Sequence, residues 1–159
     1  MEEKTPEPLP KVGREQAVYK GRLYHAAAVP VTSPSGRVSS HEYGERQPGV
    51  FVLAFDGRGR ILLSKEYRMS LKRTVLYAPM GYADKEKGRA TAARRELREE
   101  TGFDAQHLRH FTTGTHSGSF RGNTSVYVAW GLFHAPLAHD EGEDITVVPT
   151  SFLAAVRAA

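Results

Sequence analysis

The sequence predicts an α+β fold, an α/β/α sandwich with a mixed β-sheet between helices and an N-terminal antiparallel β-hairpin or meander. Short apolar segments bounded by glycine, proline and charged residues recur along the chain, which is typical of strands. One charged segment has apolar residues at helical spacing, and the last residues begin a second helix. The 159 residues, 40% hydrophobic and 25% charged, suit a single globular domain.

The first 48 residues divide into two parts. Residues 1–13 contain three prolines among charged residues, so we expect a flexible leader. Residues 14–48 are expected to form the hairpin region, because two strand-like segments flank the turn sequence SPSG. Gly36 closes this turn and can adopt a positive φ.

Residues 49–159 are expected to form the main domain. It opens with the apolar strand GVFVLAFD and the turn GRGR, and a second strand, ILLSKEYR, follows. We expect these two strands to form the centre of one sheet. A short strand within VLYAPMG then ends at Pro79 and Gly81.

The remaining elements alternate in type. Arg89 to Thr101 is predicted to be a helix that Gly102 ends. Two strands, LRHFTTGTH and TSVYVAWGLFHA, flank the loop SGSFRGN, and a last strand, ITVVPT, follows the acidic turn HDEGED. Ser151 is expected to cap the final helix.

Composition excludes several classes of protein. The chain has no cysteine, so it has neither disulfides nor thiolate metal sites. It shows no signal peptide and no apolar run of the roughly 18 residues that a membrane span needs, so we expect no membrane association and a cytoplasmic location. The net charge of +4 comes from basic residues spread along the chain, which argues against nucleic acid and suits a phosphorylated ligand.

Three carboxylates converge on the predicted helix. At about 100° per residue, Glu96, Glu99 and Glu100 share one face, beside an apolar stripe of Ala90, Ala93 and Leu97. Like charges four residues apart destabilise an isolated helix, so a cation would favour this arrangement. Oxygen ligands select hard ions such as Mg²⁺, with Mn²⁺ as an alternative. A merely solvated charged helix face is the competing interpretation of these three residues.

The spacing of a longer segment, residues 81–103, resembles the signature of the Nudix hydrolases, G-x5-E-x7-R-E-U-x-E-E-x-G-U, where U is a bulky apolar residue. Eight of the nine specified positions match without an insertion. The matching residues are Gly81, Arg95, Glu96, Leu97, Glu99, Glu100, Gly102 and Phe103. Lys87 stands where the family has a glutamate.

The resemblance implies roles for several of these residues. Glu96 and Glu100 would be the main metal ligands, with Glu99 and the backbone carbonyl of Met80 as further ligands. Arg95 and Glu99 would support catalysis. In the family, the glutamate at the place of Lys87 braces the loop against the arginine, so here Arg95 would need another partner, such as Glu86 or Glu99 at i,i+4.

Similarity to the ADP-ribose pyrophosphatase branch extends over about residues 15–155. It implies that Arg68 lies near the substrate's phosphates, with Arg46 and Tyr24 as weaker candidates for substrate contact. The turn DEGEDI resembles the loop that carries the catalytic glutamate, which implies Glu141 as general base and Glu143 as a metal ligand. The branch often has a glutamate two residues before Pro79, where this chain has Tyr77.

The implied activity is magnesium-dependent hydrolysis of a nucleoside diphosphate linked to another moiety, with ADP-ribose giving AMP and ribose 5-phosphate. The branch also implies a homodimer. Two alternatives remain open: another Nudix substrate, such as a GDP-sugar or a dinucleoside polyphosphate, or a catalytically silent domain that binds a nucleotide.

Overall fold

The structure is a computed structural model that describes residues 7–83, 88–116, 118–139 and 142–158. Strands and helices follow one another along the chain as the sequence predicts. The strands are β1 (Lys11–Val12), β2 (Gln16–Lys20), β3 (Tyr24–Thr32), β4 (Val38–Arg46), β5 (Gly49–Ala54), β6 (Arg60–Arg68), β7 (Arg73–Tyr77), β8 (Met80–Tyr82), β9 (Phe103–His116), β10 (Phe120–His134) and β11 (Thr146–Ser151). The helices are α1 (Arg89–Thr101) and α2 (Phe152–Ala158).

The chain divides into two compact units, the first of which comprises residues 1–47 and 116–122. Its centre is an antiparallel hairpin of β3 and β4. The turn between them closes with Gly36 at φ 85°, and the Gly36 N–H donates to the Ser33 carbonyl at 2.9 Å. Strand β2 pairs with β3, and the first residues of β10 pair in parallel with β4. The antiparallel hairpin was predicted from the sequence.

Strand β1 lies within the segment expected to be a flexible leader. Lys11 and Val12 pair with Thr32 and Val31 of β3. The Gly13 N–H then donates to the Pro30 carbonyl at 2.8 Å. This short segment forms a strand because its backbone groups pair with the edge of β3, which composition does not reveal.

The second unit comprises residues 48–115 and 123–159 and holds a mixed sheet and a three-stranded sheet. Strand β5 pairs in parallel with β10 and antiparallel with β8. Strand β6 lies between β11 and β7, antiparallel to both. The expectation that β5 and β6 form the centre of one sheet is wrong, since a single bridge, Phe55 to Ile61, joins them. Both edges of β5 are taken by strands that are distant in sequence.

Alternate side chains of β5 and β6 face two different helices. Val50, Val52, Ala54 and Leu62 pack with α1, where Ala92, Ala93 and Leu97 are fully buried. On the other face, Ile61 and Leu63 pack with Phe51, Leu53 and Ala155 of α2. This period-two division places a helix on each side of the strands, as the α/β/α sandwich requires.

The end of α1 and the start of α2 lie where their terminal residues predict. Gly102 follows α1 with φ 76°, and its N–H donates to the Arg98 carbonyl at 3.0 Å. The Ser151 hydroxyl caps α2 by accepting the Ala154 N–H at 3.3 Å. Among the described residues, no helix has the length and apolar character needed to cross a membrane.

We expect Gly102→Ala to lower the free energy of unfolding by about 1 kcal/mol, because alanine at φ 76° strains the backbone. Gly57→Ala is the matched control: Gly57 lies in a turn, no positive φ is found there, and a Cβ would meet open space. Urea unfolding followed by circular dichroism compares the two variants. Equal midpoints for both would contradict the assigned role of Gly102.

Candidate functional site

Two carboxylates of α1 lie in the middle of its buried face. The exposed fractions of Glu96 and Glu100 are 8% and 3%, and Ala92 and Leu97 on either side of them are fully buried. The sequence predicted the carboxylates beside an apolar stripe, but Ala90, expected in that stripe, is exposed. The glutamates therefore point towards the strands under the helix.

Glu100 is held by two donors from different strands. The Ser64 hydroxyl on β6 donates to one carboxylate oxygen at 2.6 Å, and the Met80 N–H on β8 donates to the other at 3.3 Å. Ser64 is completely buried. The backbone of Met80, predicted as a metal-ligand position, thus lies beside Glu100.

Glu96 packs against a glycine of β8. A Cβ built on Gly81 would overlap the Glu96 carboxylate, so any other residue at this position would force Glu96 to move. This contact explains why the signature begins with a glycine: the missing side chain makes room for a carboxylate of the same signature. Strand β8 and helix α1 are in contact through these two residues.

Arg95 connects this cluster to the strand before the helix. One terminal nitrogen lies 2.8 Å from Glu96 and donates to Glu99 at 2.7 Å. The other donates to the Tyr82 carbonyl at 2.9 Å. Arg95 thus reaches Glu99 at i,i+4, as the sequence suggested. Glu86 and Lys87 lie outside the described residues.

The electrostatic setting opposes ionisation of both buried carboxyls. Burial raises the pKa of Glu100 to about 8, with Glu96 and Glu143 adding to the rise while Ser64 and Met80 counteract it. Burial likewise raises the pKa of Glu96 to about 7, against the lowering effect of Arg95. Glu99 and Glu143 add to that rise. The charges concentrated here are predominantly negative, which is a setting that favours a bound cation.

The acidic turn contributes through Glu143. This residue is exposed, and its charge acts on both Glu96 and Glu100, so it lies within electrostatic range of the α1 carboxylates. Glu141, the expected general base, lies outside the described residues.

The donor set fits a hard divalent cation. Glu96, Glu99, Glu100 and Glu143 offer only oxygen atoms, and Gly81 keeps side-chain bulk away from Glu96. Within the part of the chain that the structure describes, no three acidic or histidine side chains are grouped closely enough to hold a metal. Glu96 instead forms an ion pair with Arg95, and Glu100 accepts hydrogen bonds from Ser64 and Met80.

Arg68 lies on the same face of β6 as Ser64, four residues further along the strand. Its Nε pairs with Glu66 at 3.0 Å, and its guanidinium carbon lies 4.3 Å from the centre of the Tyr77 ring. Tyr77 is directly opposite Ser64 in the β6–β7 ladder, so its side chain shares that face.

Sequence reasoning missed Ser64 and Glu66. The available signal was the polar period-two pattern Ser64, Glu66, Arg68, at the end of a strand whose earlier residues are apolar. On a strand that covers a core, three polar residues in a row on the inner face, at every second position, indicate that polar partners lie against them.

The other two predicted substrate residues belong to the first unit. Tyr24 and Arg46 are directly opposite each other in the β3–β4 ladder. The Tyr24 side chain is 49% exposed, and its ring centre lies 5.3 Å from that of Tyr19. The structure therefore brings these two residues together.

A cavity of about 910 Å³ lies on the opposite face of the second unit from the carboxylates. Its walls include Phe51, Leu53, Leu63 and Phe152, which pack on the α2 side. The cavity is predominantly apolar and takes in none of the α1 glutamates. The charged cluster, rather than this larger space, is the candidate site.

Residues 45–155 match the pattern of the NUDIX domain over a range that contains α1, β8 and the acidic turn. The chain belongs to the NUDIX family. The glycine, the arginine and the three glutamates on which the resemblance rested are the residues that meet at the α1–β8 contact.

Two relatives agree with this membership. The chain is 33% identical to an ADP-ribose pyrophosphatase of Bacillus subtilis over 112 residues, which cover 70% of this chain and 57% of that protein. It is 31% identical to an ADP-ribose pyrophosphatase of Mycobacterium tuberculosis over 137 residues, 83% of this chain and 66% of that protein. The matched region is thus less than two thirds of either relative's length.

The fold is shared with a solved structure described as an ADP compounds hydrolase. The TM-score is 0.83 at 23% sequence identity, and the match covers 98% of this chain and 86% of that one. This match confirms the NUDIX fold that the sequence predicted.

We expect Glu100→Gln to stabilise the metal-free protein at high pH. Burial holds the pKa of Glu100 at about 8, above its ordinary value of 4.5. The folded state therefore loses stability as the pH rises from 4.5 to about 8. Glutamine carries no buried charge; its amide oxygen can accept the Met80 N–H, and its amide N–H can donate to the Ser64 hydroxyl oxygen. Thermal unfolding in EDTA should show a midpoint raised by about 3 °C or more at pH 9 and little change at pH 5.

The control for this measurement is Glu42→Gln on β4, which removes an exposed carboxylate in the first unit. Its midpoint should follow that of the unmodified protein at every pH. If Glu100→Gln does the same at pH 9, burial of a charged Glu100 does not oppose folding.

Proposed function

We propose that this chain hydrolyses the diphosphate linkage of a nucleoside diphosphate joined to a sugar, in a magnesium-dependent reaction, and that ADP-ribose is the substrate. The observation that carries the proposal is the burial of Glu96 and Glu100 against Met80 and Gly81. Buried carboxylates that outnumber the basic side chains paired with them oppose folding. Their presence in the core of this site therefore points to a bound cationic ligand.

Glu96, Glu100 and Glu99 would hold the divalent cation, with Glu143 and the Met80 carbonyl as further ligands. Mg²⁺ is the expected ion and Mn²⁺ can take its place. When bound, such an ion offsets the negative charge of the diphosphate and polarises its oxygens. Arg95, through its bonds to Glu99 and the Tyr82 carbonyl, keeps the helix and β8 in one arrangement.

The remaining roles concern water and phosphate. Glu141 is the proposed general base that takes a proton from the attacking water. Arg68 is proposed to bind the phosphates, because a guanidinium matches two phosphate oxygens at once. Tyr24 and Arg46 are proposed to contact the nucleoside. Hydrolysis of ADP-ribose would release AMP and ribose 5-phosphate.

The names of the two pyrophosphatases that this chain resembles support ADP-ribose as the substrate. We also propose a cytoplasmic homodimer. Light scattering of the purified protein tests the dimer, and a mass near the 17.6 kDa of one chain would reject it.

A substrate panel with and without Mg²⁺ tests the reaction. We expect ADP-ribose to give AMP and ribose 5-phosphate only with the metal, at rates well above those for GDP-sugars and dinucleoside polyphosphates. Faster turnover of one of those would reassign the substrate. Binding of ADP-ribose without product from any compound would favour the catalytically silent alternative.

Glu100→Gln should reduce metal-dependent turnover at least about 100-fold, because it removes a charged ligand while keeping the side-chain shape. Glu42→Gln should leave the rate unchanged, since Glu42 is exposed on β4. Chromatographic measurement of the AMP formed gives the rate of both variants. Turnover retained by Glu100→Gln would contradict the assignment of this residue to the metal site.

A further inference from the structure

Three side chains of β6 and β7 form a compact group, here called the Glu66 cluster: Glu66, Arg68 and Tyr77. The Tyr77 hydroxyl donates to Glu66 Oε2 at 2.6 Å, and Arg68 Nε lies 3.0 Å from the same oxygen. The guanidinium carbon of Arg68 lies 4.3 Å from the centre of the Tyr77 ring. One carboxylate oxygen and one aromatic ring therefore fix the guanidinium from two sides.

The Glu66 cluster adjoins the α1 carboxylates. Tyr77 is directly opposite Ser64, which donates to Glu100. Burial, the bond to Glu66 and the charge of Glu100 all raise the pKa of Tyr77. The hydroxyl therefore stays protonated and acts as a donor to Glu66.

The cluster leaves part of Arg68 available to a ligand. Its side chain is 40% exposed, and among the described residues Glu66 is its one ion-pair partner, through Nε. The two terminal nitrogens carry the parallel N–H groups that pair with two phosphate oxygens. Arg68 also stands directly opposite Arg73 at the end of the ladder, and like charges in this position repel unless an anion lies between them.

The carboxylate of this cluster comes from an unexpected strand. The resemblance to the branch implies a glutamate in many members two residues before Pro79, where this chain has Tyr77. Here the carboxylate belongs to Glu66 on β6, and the tyrosine on β7 binds it. The side chain of Glu66 is 14% exposed, so the acid that binds Tyr77 and Arg68 is hydrogen-bonded and largely shielded from solvent.

We propose that Glu66 and Tyr77 are positioning residues that hold the guanidinium of Arg68 in place for the substrate's diphosphate. The proposal rests on the proposed function and adds two residues that the family signature does not contain. Glu66 fixes Nε, the Tyr77 ring fixes the guanidinium plane, and the Tyr77 hydroxyl keeps Glu66 from turning away.

The primary test is Glu66→Gln, which removes the charge and keeps the shape. With ADP-ribose as substrate, KM should rise about tenfold and kcat should change less than about threefold, because Arg68 binds the phosphates before and during the reaction. Tyr77→Phe, which keeps the ring and removes the hydroxyl, should raise KM less. An unchanged KM in Glu66→Gln overturns the proposal.

A double substitution tests whether Glu66 acts through Arg68. Arg68→Ala should raise KM at least as much as Glu66→Gln, and adding Glu66→Gln to Arg68→Ala should have no further effect. The Mg²⁺ concentration for half-maximal rate should be the same in Glu66→Gln and the unmodified protein. Additive effects, or a shifted Mg²⁺ requirement, would show that Glu66 binds substrate or metal directly and would reject a positioning role.

The same strand offers a matched control. Arg60 at the start of β6 pairs with Asp56, and the two side chains are 41% and 18% exposed, close to the 40% and 14% of Arg68 and Glu66. Eight residues separate Arg60 from Arg68, about 26 Å along a strand. Asp56→Asn should leave KM unchanged. An equal rise in KM for Asp56→Asn would mean that loss of either ion pair disturbs the strand, and would overturn the proposal.

Calorimetric titration with ADP-ribose separates the two proposals. If the unmodified protein binds ADP-ribose without turnover, the hydrolase proposal fails, and a Kd about tenfold weaker in Glu66→Gln still supports the positioning pair. If it turns ADP-ribose over and Glu66→Gln has an unchanged KM, only the positioning pair fails. Neither binding nor turnover would reject both.

Discussion

The structure depends on the contact between two buried carboxylates of α1 and the backbone of β8. Glu96 occupies the space that a side chain at position 81 would need, and Glu100 accepts the Met80 N–H. This approach is possible because α1 presents Ala92 and Ala93 to the strands, which lets the helix lie close to them. A larger residue at any of these positions would move the glutamates away from β8.

The same contact opposes folding when no ligand is bound. The pKa values of about 7 and 8 for Glu96 and Glu100 mean that the protein holds both carboxyls in a setting that disfavours their charged forms. The apolar packing beneath α1, with Val50, Val52 and Leu97, supplies the favourable free energy that tolerates this arrangement. Such local conflict between burial and charge is characteristic of functional sites, where a ligand resolves it.

Strand β6 joins the apolar interior to the charged site. Leu62 packs under α1, Ser64 binds Glu100, and Glu66 and Arg68 form the next polar contacts along the same face. Its opposite face carries Ile61 and Leu63 towards α2. Strand β6 thus contributes core residues on both of its faces. On the face towards α1, its side chains change along the strand from apolar to polar and then to charged.

The sequence by itself determined the local elements of this protein. Four features follow from interactions within a few residues: the C-terminal end of α1 at Gly102, the Ser151 cap of α2, the Ser33–Gly36 turn and the Arg95–Glu99 pair. The tertiary structure alone decided that β5 and β6 belong to different sheets and that Glu66 meets Tyr77. Strand partners and contacts between strands depend on which distant backbone groups satisfy each other, and a local pattern of apolar and polar residues is compatible with many such pairings. The register of the signature therefore indicated which glutamates matter, and the packing of α1 on β6 and β8 determined what each one contacts.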